Sequence, residues 1–593
     1  MGAQGLLRIE PVGGLGEMGH HHLVVDLGPD SFLVDCGILF PPDSDPGIDR
    51  ILPSFAPALR RAKEGRLRGL LLTHGHLDHL GAVPDLLAAL PGLPVYATSW
   101  ALTLLRRRIA RDGPKDSAPL QAHLVTPGVP EFVGETELTW LRVTHSLPEA
   151  CSLVLRGAAG TIVHSGDFRM QQDPLLGPPA DVEGLRAIGD RGVDLALVDS
   201  TSSAKEGRTL PEREVVQNLQ ALIRGVEGAA VVTSFSSHVE RMLGCLHVAR
   251  ATGRRLAIYG RSAEETARLA IERGLLTTQA GELLHLDEIA HQPKDKLLLL
   301  VTGTQGEWRA PLARIARGED SRVSLGPGDC VVWSARVIPG GERAVGGLIN
   351  KFVEAGVQVV PPWGEAGRGM HTSGHGHQDE VAEWLDCVRP RFALPVHGEP
   401  WHLVQHAGVL AGRLGPERIL SLRSGHSLQL DPRTGETHIE LAQHAQQWVA
   451  EGGARFSPRD PALATRRKAG RHGTATVVVP WRDGRVVGTP VVHSVGLVAR
   501  AEAAGLEHRV GLELHRRMTE WGPLLDEAAA IEKTRLTLRS VVRSEVGTKP
   551  PCFARLLYLE SMVSYDKVVA TQTDGPPDGA HRDSPPQGED PPK

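Results

Sequence analysis

At 593 residues, with 41% hydrophobic and 23% charged side chains, the chain is too long for one core and too ordinary in composition to be fibrous or disordered as a whole, so two to four globular domains are expected. Six widely spaced cysteines without a CxxC pair exclude a disulfide framework and a thiolate zinc site. A net charge of −5 leaves any attraction for a polyanion to local patches. Apolar runs stay short of the roughly 20 residues that cross a bilayer, and the N-terminus has no basic start followed by an apolar segment. The reading is therefore no membrane and a cytoplasmic setting.

In chain order, LLRIEPVGG, HHLVVDLG and SFLVDCG read as strands ending in turns, and RLRGLLLTHGH as a buried strand running into a loop. GAVPDLLAAL follows as a helix, and ELTWLRVTHS, CSLVLRG and GTIVHSGD as closely spaced antiparallel strands. From about residue 211 the period changes. Amphipathic PEREVVQNLQALIRGV and HVERMLGCLHVARATG alternate with apolar AAVVTSF, RLAIYG, KLLLLVTGTQG and DCVVWSA, the rhythm of a parallel sheet with crossover helices. Histidine-bearing loops return over 371–430. The Arg, Ala, Gly and Pro of 451–472 predict a linker, TATVVVPWRDGRVVGTPVV a hairpin, and CFARLLYLE a last strand preceded by a helical segment. The polar, Pro-rich end, 566–593, is expected to be disordered.

Chemistry concentrates in THGHLDH, Thr73 to His79, where three imidazoles and a carboxylate follow an apolar strand within seven residues. His74 and His76 are placed to hold one metal, Asp78 and His79 a second, and imidazole with carboxylate suits Zn²⁺ or Mn²⁺. His20, His21 and His22 also look like ligands, but three successive residues of a strand cannot face one way, and they are read as a decoy. Candidate basic patches are Arg60, Arg61, Lys63, Arg66 and Arg68, and Arg106, Arg107, Arg108 and Arg111; either can equally be a solvated helix face.

The THGHLDH motif resembles that of the metallo-β-lactamase superfamily, and the order of the other motifs along the chain supports it. Asp35 in LVDCG matches the first acidic motif, which orients ligands; His145 in VTHS and Asp167 in HSGDF match the third ligand and the metal-bridging carboxylate. About 200 residues then separate Asp167 from the next histidines, an insert resembling the β-CASP region of nucleic-acid-processing members. Asp199 in LVDST matches its motif A, His375 in HTSGH motif B, and His397 in PVHGE motif C, where histidine is characteristic of RNA-processing members. GGLGEMG, VDCGILFP, THGHLDHLGAVP, HSLPEA, GTQGE, HTSGH and PVHGE together resemble the ribonuclease J family over residues 9–430.

The resemblance implies an α/β protein: a metallo-β-lactamase αββα sandwich in two parts (1–205 and 363–450), an inserted β-CASP α/β domain (206–362), and a small C-terminal α/β domain (473–565). It implies a 5′-to-3′ exoribonuclease, with endonucleolytic cuts as a further activity, that acts in RNA maturation and decay through a metal-bridging hydroxide. Two divalent ions per subunit, Zn or Mn, would be held by His74, His76 and His145 and by Asp78, His79 and His397, with Asp167 between. His375 would be the general acid and Asp199 its partner. Ser236, Ser237 and His238, where the family commonly has Phe-Ala-Ser-Asn after the strand, would face the loop His371, Thr372, Ser373, Gly374 and His375 around the 5′-monophosphate of single-stranded RNA. A homodimer or homotetramer, and membership of an RNA-degradation complex, are further implications. The alternatives are a small-ester hydrolase, which needs no insert, a β-CASP DNA nuclease, which His397 disfavours, and a catalytically weak RNA-binding partner subunit, which should have lost ligands.

Overall fold

The computed structural model describes residues 5–41, 45–113, 118–279, 281–338, 340–442, 446–450, 453–523 and 526–559. The tail expected to be disordered, 566–593, lies outside them. The chain divides into two units, the second of which takes in residues from Pro461 onward.

The first unit holds two facing sheets. One has eight strands, in the order Thr437–Leu441, His426–Leu430, Leu7–Gly13, His22–Leu27, Asp30–Val34, Leu67–Leu71, Val95–Ala97, Ala122–Leu124. The other has six: Phe392–Val396, Leu195–Asp199, Gly160–His164, Cys151–Gly157, Thr136–Arg142, Glu131–Val133. Alternation along each strand sorts the side chains. Val25, Phe32 and Val34 share a core with Trp140, Leu153, Ile162 and Leu394 of the opposite sheet. Their neighbours Val24 and Leu33 face the other way, onto the helices that carry Val83, Leu86 and Leu105. Helices Val182–Asp190 and Gln378–Val388 cover the outer face of the six-stranded sheet through Leu185, Trp384 and Leu385. This is the αββα sandwich.

Between Leu195–Asp199 and Phe392–Val396, which pair in parallel, the chain builds a separate five-stranded sheet. Its order is Arg255–Tyr259, Leu297–Val301, Ala230–Thr233, Cys330–Trp333, Gln358–Val360, all parallel. Leu298 and Leu300 pack on one helical layer and Leu297, Leu299 and Val301 on the other. A strand buried on both faces has no polar side, which is why LLLLV is uniformly apolar.

The second unit is a sheet of Thr474–Arg482, Arg485–Val486, Val491–Val495 and Cys552–Tyr558, with helices Arg500–Thr519 and Glu527–Val546 packed on Ala475, Val477, Val479 and Trp481. The hairpin expected from TATVVVPWRDGRVVGTPVV forms. The single helical segment expected before the last strand is two helices of 20 residues each. The stretch read as a linker is largely ordered, with strand Arg455–Phe456 and helix Pro461–His472. Gly and Pro suggested breakage there, but Pro461 occupies the helix start that proline tolerates, and Ala, Leu, Arg and Lys carry the rest.

Candidate metal centre

Leu195–Asp199 pairs in parallel with both Gly160–His164 and Phe392–Val396, so Asp199, which ends its strand, and Asp167 and His397, just beyond theirs, lie at one end of the six-stranded sheet. Asp30–Val34 and Leu67–Leu71, also parallel, deliver Asp35 and the THGHLDH loop in the same way. Asp35 takes φ +55°, and its buried carboxylate accepts from Thr73 N (2.8 Å), Thr73 Oγ1 (2.8 Å) and His79 Nδ1 (2.7 Å). Gly37 passes so close to the next turn that a Cβ there would stand 1.5 Å from the Asp78 carbonyl oxygen.

Two ligand clusters result. In the first, one ligand atom from each of His74, His76, His145 and Asp167 lies within 4.8 Å of the others. His74 Nε2 is 3.0 Å, and His145 Nε2 3.1 Å, from His76 Nδ1. His145 donates from Nδ1 to the Gly374 carbonyl at 2.7 Å, which leaves Nε2 with its lone pair facing inward. Burial pushes the His74 and His145 imidazoles well below their ordinary pKa and His76 to about 4, so all three are neutral ligands. In the second cluster, Asp78, His79 and His397 converge with His21. Asp167 lies between the two, with Oδ2 3.6 Å from His74 Nε2 and Oδ1 3.3 Å from His79 Nε2 and 2.8 Å from His397 Nδ1. Burial opposes its charge, but the histidines, His397 foremost, hold its carboxyl well below the usual range. Burial likewise opposes a charged His397, yet Asp167, aided by Asp199, raises it to about 9, so a metal entering there displaces a proton. The donor set of imidazoles and carboxylates fits two divalent ions. The buried His79 Nε2, which has no hydrogen-bond partner, fits them as well.

A third grouping joins Asp167, Asp199, His375 and His397. His375 Nδ1 stands 2.7 Å from Asp199 Oδ2, and His375 Nε2 3.9 Å from Asp167 Oδ2. Asp199 is anchored by its own backbone N–H to Ser165 Oγ (3.0 Å), and its Oδ1 accepts from Thr201 N (2.9 Å). Ser373 Oγ accepts from His375 N (3.1 Å) and meets Ser202 Oγ at 3.1 Å; Arg336 donates to Ser202 Oγ at 3.4 Å.

Every expected ligand is thus brought together, and two expectations change. His238 lies near His371 of the loop, whose pKa is lowered by burial, Arg241 and His238, but the His238 ring is turned inward. It is buried, caps helix Val239–Thr252 by accepting from Arg241 N at 3.2 Å, and lies 3.9 Å from Glu212, because an inward-turned imidazole satisfies the helix end. Ser236 and Ser237 remain half-buried, with Ser237 Oγ 3.2 Å from His76 Nε2. The histidine triplet is only partly a decoy. His20 breaks from the strand at φ +66° and meets Glu17 (3.2 Å), and His22 donates to the Asp35 carbonyl (2.8 Å), but His21 lies in the second cluster. His20 and His21 precede the strand, so alternation does not govern them, and of the three only His21 joins the cluster. Both basic patches are largely consumed by ion pairs: Arg60 and Arg61 with Glu10, Arg68 with Asp30, Arg107 with Glu265, and Arg108 and Arg111 with Asp112. Sequence reasoning named Thr73 only as the first residue of THGHLDH and missed its bonds to Asp35, and it missed Arg336, which carries no motif.

Comparison with known proteins agrees with the fold. The family model described as "Beta-lactamase superfamily domain" matches residues 39–226, "Ribonuclease J, beta-CASP domain" residues 227–352, and "Zn-dependent metallo-hydrolase RNA specificity domain" residues 368–417. Ribonuclease J of Mycolicibacterium smegmatis is 36% identical over 72% of this chain and 75% of its own length. The Sinorhizobium meliloti ribonuclease J is 34% identical over 82% and 85%, and that of Mycobacterium tuberculosis 33% over 83% and 87%. A solved structure from Enterococcus faecalis, of a protein of unknown function, shares the fold at a TM-score of 0.51 and 15% identity, covering 73% of this chain and 100% of that one.

Proposed function

The chain belongs to the ribonuclease J family and is a metal-dependent ribonuclease, and from that premise we propose how its site selects and cuts RNA. The reading is 5′-to-3′ exonucleolysis of single-stranded RNA, with a preference for a 5′-monophosphate, in a cytoplasmic enzyme of RNA maturation and decay. Two Zn or Mn ions held by the two clusters would supply the nucleophilic water and the positive charge on the attacked phosphodiester. The observation that carries the reading is the His375–Asp199 pair beside those clusters. Asp199, fixed by Ser165 and Thr201, receives the Nδ1 proton of His375 and so directs Nε2, with its proton, toward the departing 3′-oxygen.

Ser236, Ser237 and Ser373, with Arg336 behind Ser202, offer hydroxyls and one cation to a terminal phosphate. In the same loop, His371 Nδ1 and Thr372 Oγ1 are buried without hydrogen-bond partners, as expected of groups that await a ligand. The pocket would accept a monophosphate dianion and be overfilled by a triphosphate. Decay of one RNA bearing a 5′-hydroxyl, 5′-monophosphate or 5′-triphosphate tests this: the monophosphate should be degraded fastest, and equal rates would remove the pocket. The second unit would serve assembly into a dimer or tetramer. One face of its sheet exposes Val491, Val495, Phe553 and Leu557, with helices on the other.

A further inference from the structure

His21 follows a glycine-rich loop and immediately precedes strand His22–Leu27, a position at which nothing in the ligand motifs calls for histidine. Its backbone is pinned on both sides: His21 N donates to the Asp78 carbonyl (2.9 Å), and Gly37 N donates to the His21 carbonyl (2.8 Å). Its ring lies flat on His79, centroids 4.3 Å apart at 16°, and edge-on to His397 at 3.9 Å. Gly14 makes room for it, since a Cβ there would stand 2.5 Å from His21 Nδ1. The ring is buried, and its Nε2 has no hydrogen-bond partner among the described residues. Burying an imidazole nitrogen without a partner is costly unless something else occupies its lone pair. One ring nitrogen of His21 lies within 4.8 Å of a ligand atom from each of Asp78, His79 and His397, the spread of donors around a single ion.

We propose that His21 is an additional protein ligand of the second metal ion. This rests on the two-metal reading above and deepens it. The second position then offers three imidazoles and Asp78, beside Asp167, where the residues expected from the motifs alone offer two imidazoles. Nitrogen-rich sites favour Zn²⁺ or Co²⁺, whereas Mn²⁺ suits carboxylate and water oxygen. The consequence is a second site that discriminates against Mn²⁺ more strongly than Asp78, His79 and His397 would by themselves.

The decisive measurement needs no variant. In a crystal of the zinc-loaded full chain, located by anomalous scattering, a His21 nitrogen should lie about 2.0–2.1 Å from the second zinc. A zinc bound by Asp78, His79 and His397 with both His21 nitrogens beyond bonding distance overturns the proposal and leaves the two-metal reading intact. Absence of a second zinc overturns both. His21→Phe keeps the ring stacked on His79 but removes the donor, and His21→Ala removes both. Metal content after dialysis against graded chelator should show second-site zinc affinity reduced in each by at least the roughly 10–100-fold typical of losing an outer-shell partner. Wild-type affinity in His21→Phe would make the histidine a packing ring only.

Discussion

Replacing Asp35 with Asn exchanges one oxygen for an NH₂ group and should weaken metal binding at the Asp78, His79 and His397 cluster. The carboxylate takes three hydrogen bonds, two from Thr73 and one from His79 Nδ1 at 2.7 Å. The amide of Asn can keep its oxygen on Thr73 N–H, and the Thr73 hydroxyl can rotate to accept. His79 has no such freedom. Facing an NH₂ group, its Nδ1 must become the acceptor, which moves the ring proton to Nε2, the nitrogen aimed at Asp167 and the metal. Loss of an outer-shell partner of this kind lowers metal affinity about 10–100-fold, or about 1.4–2.7 kcal/mol at 1.36 kcal/mol per decade. Chelator competition with metal analysis reads the second-site affinity directly. Thr73→Val, which removes the Oγ1 bond but leaves the His79 pair, should fall well short of that loss. If Asp35→Asn binds its second ion as tightly as wild type, the orienting role is wrong.

His375→Ala should slow cleavage of ordinary RNA by about 10²–10⁴-fold, retain both metals, and recover on a phosphodiester whose leaving group needs no proton; metal loss would make His375 a ligand. Asp26→Asn should destabilise the first unit by about 3 kcal/mol, the lower end for a broken buried pair, because Arg61 keeps Glu10 at 2.6 Å. Burial disfavours the Asp26 charge, but Arg61 more than compensates and lowers its pKa. The stabilisation is therefore full above the unfolded carboxyl value near 3.9 and is lost as pH falls through the lower folded value. Denaturant melts of both proteins should converge in that acid range. Truncation after Asp460 should yield a smaller species by light scattering than the full chain, and a full-length monomer at micromolar concentration would refute the assembly role.

The part of the site legible in the sequence is the part that depends on strand ends. Asp35, His145, Asp167, Asp199 and His397 each end or follow an apolar run, and strands that point the same way deliver such residues to one end of a sheet, so order along the chain stands in for geometry. His21 escapes a sequence reading because the alternation rule is applied to a triplet of which two residues precede the strand, and His20, at φ +66°, does not obey strand geometry. The inward turn of His238 depends on a partner, Glu212, on another helix, and the neutralised arginines depend on Glu10 and Glu265, all remote in sequence. Helix Pro461–His472 is hidden by its glycine and proline, residues that mark breaks on average, although the proline fits the start of this one.

The eight-stranded sheet places strand His426–Leu430 beside Leu7–Gly13, with Leu7 opposite Leu430. At about 5–20 residues per second of synthesis, Leu7 leaves the ribosome roughly 20–85 s before its partner exists. Throughout that interval the first strand has one neighbour and one bare edge, and the inserted five-stranded sheet, whose strands lie between 230 and 360, is complete only near its end. The donors of the second cluster cannot meet until His397 is made, so that cluster assembles only after most of the first unit has been synthesised, and chains stalled before that residue should be distinguished by an unpaired edge exposed to protease and aggregation.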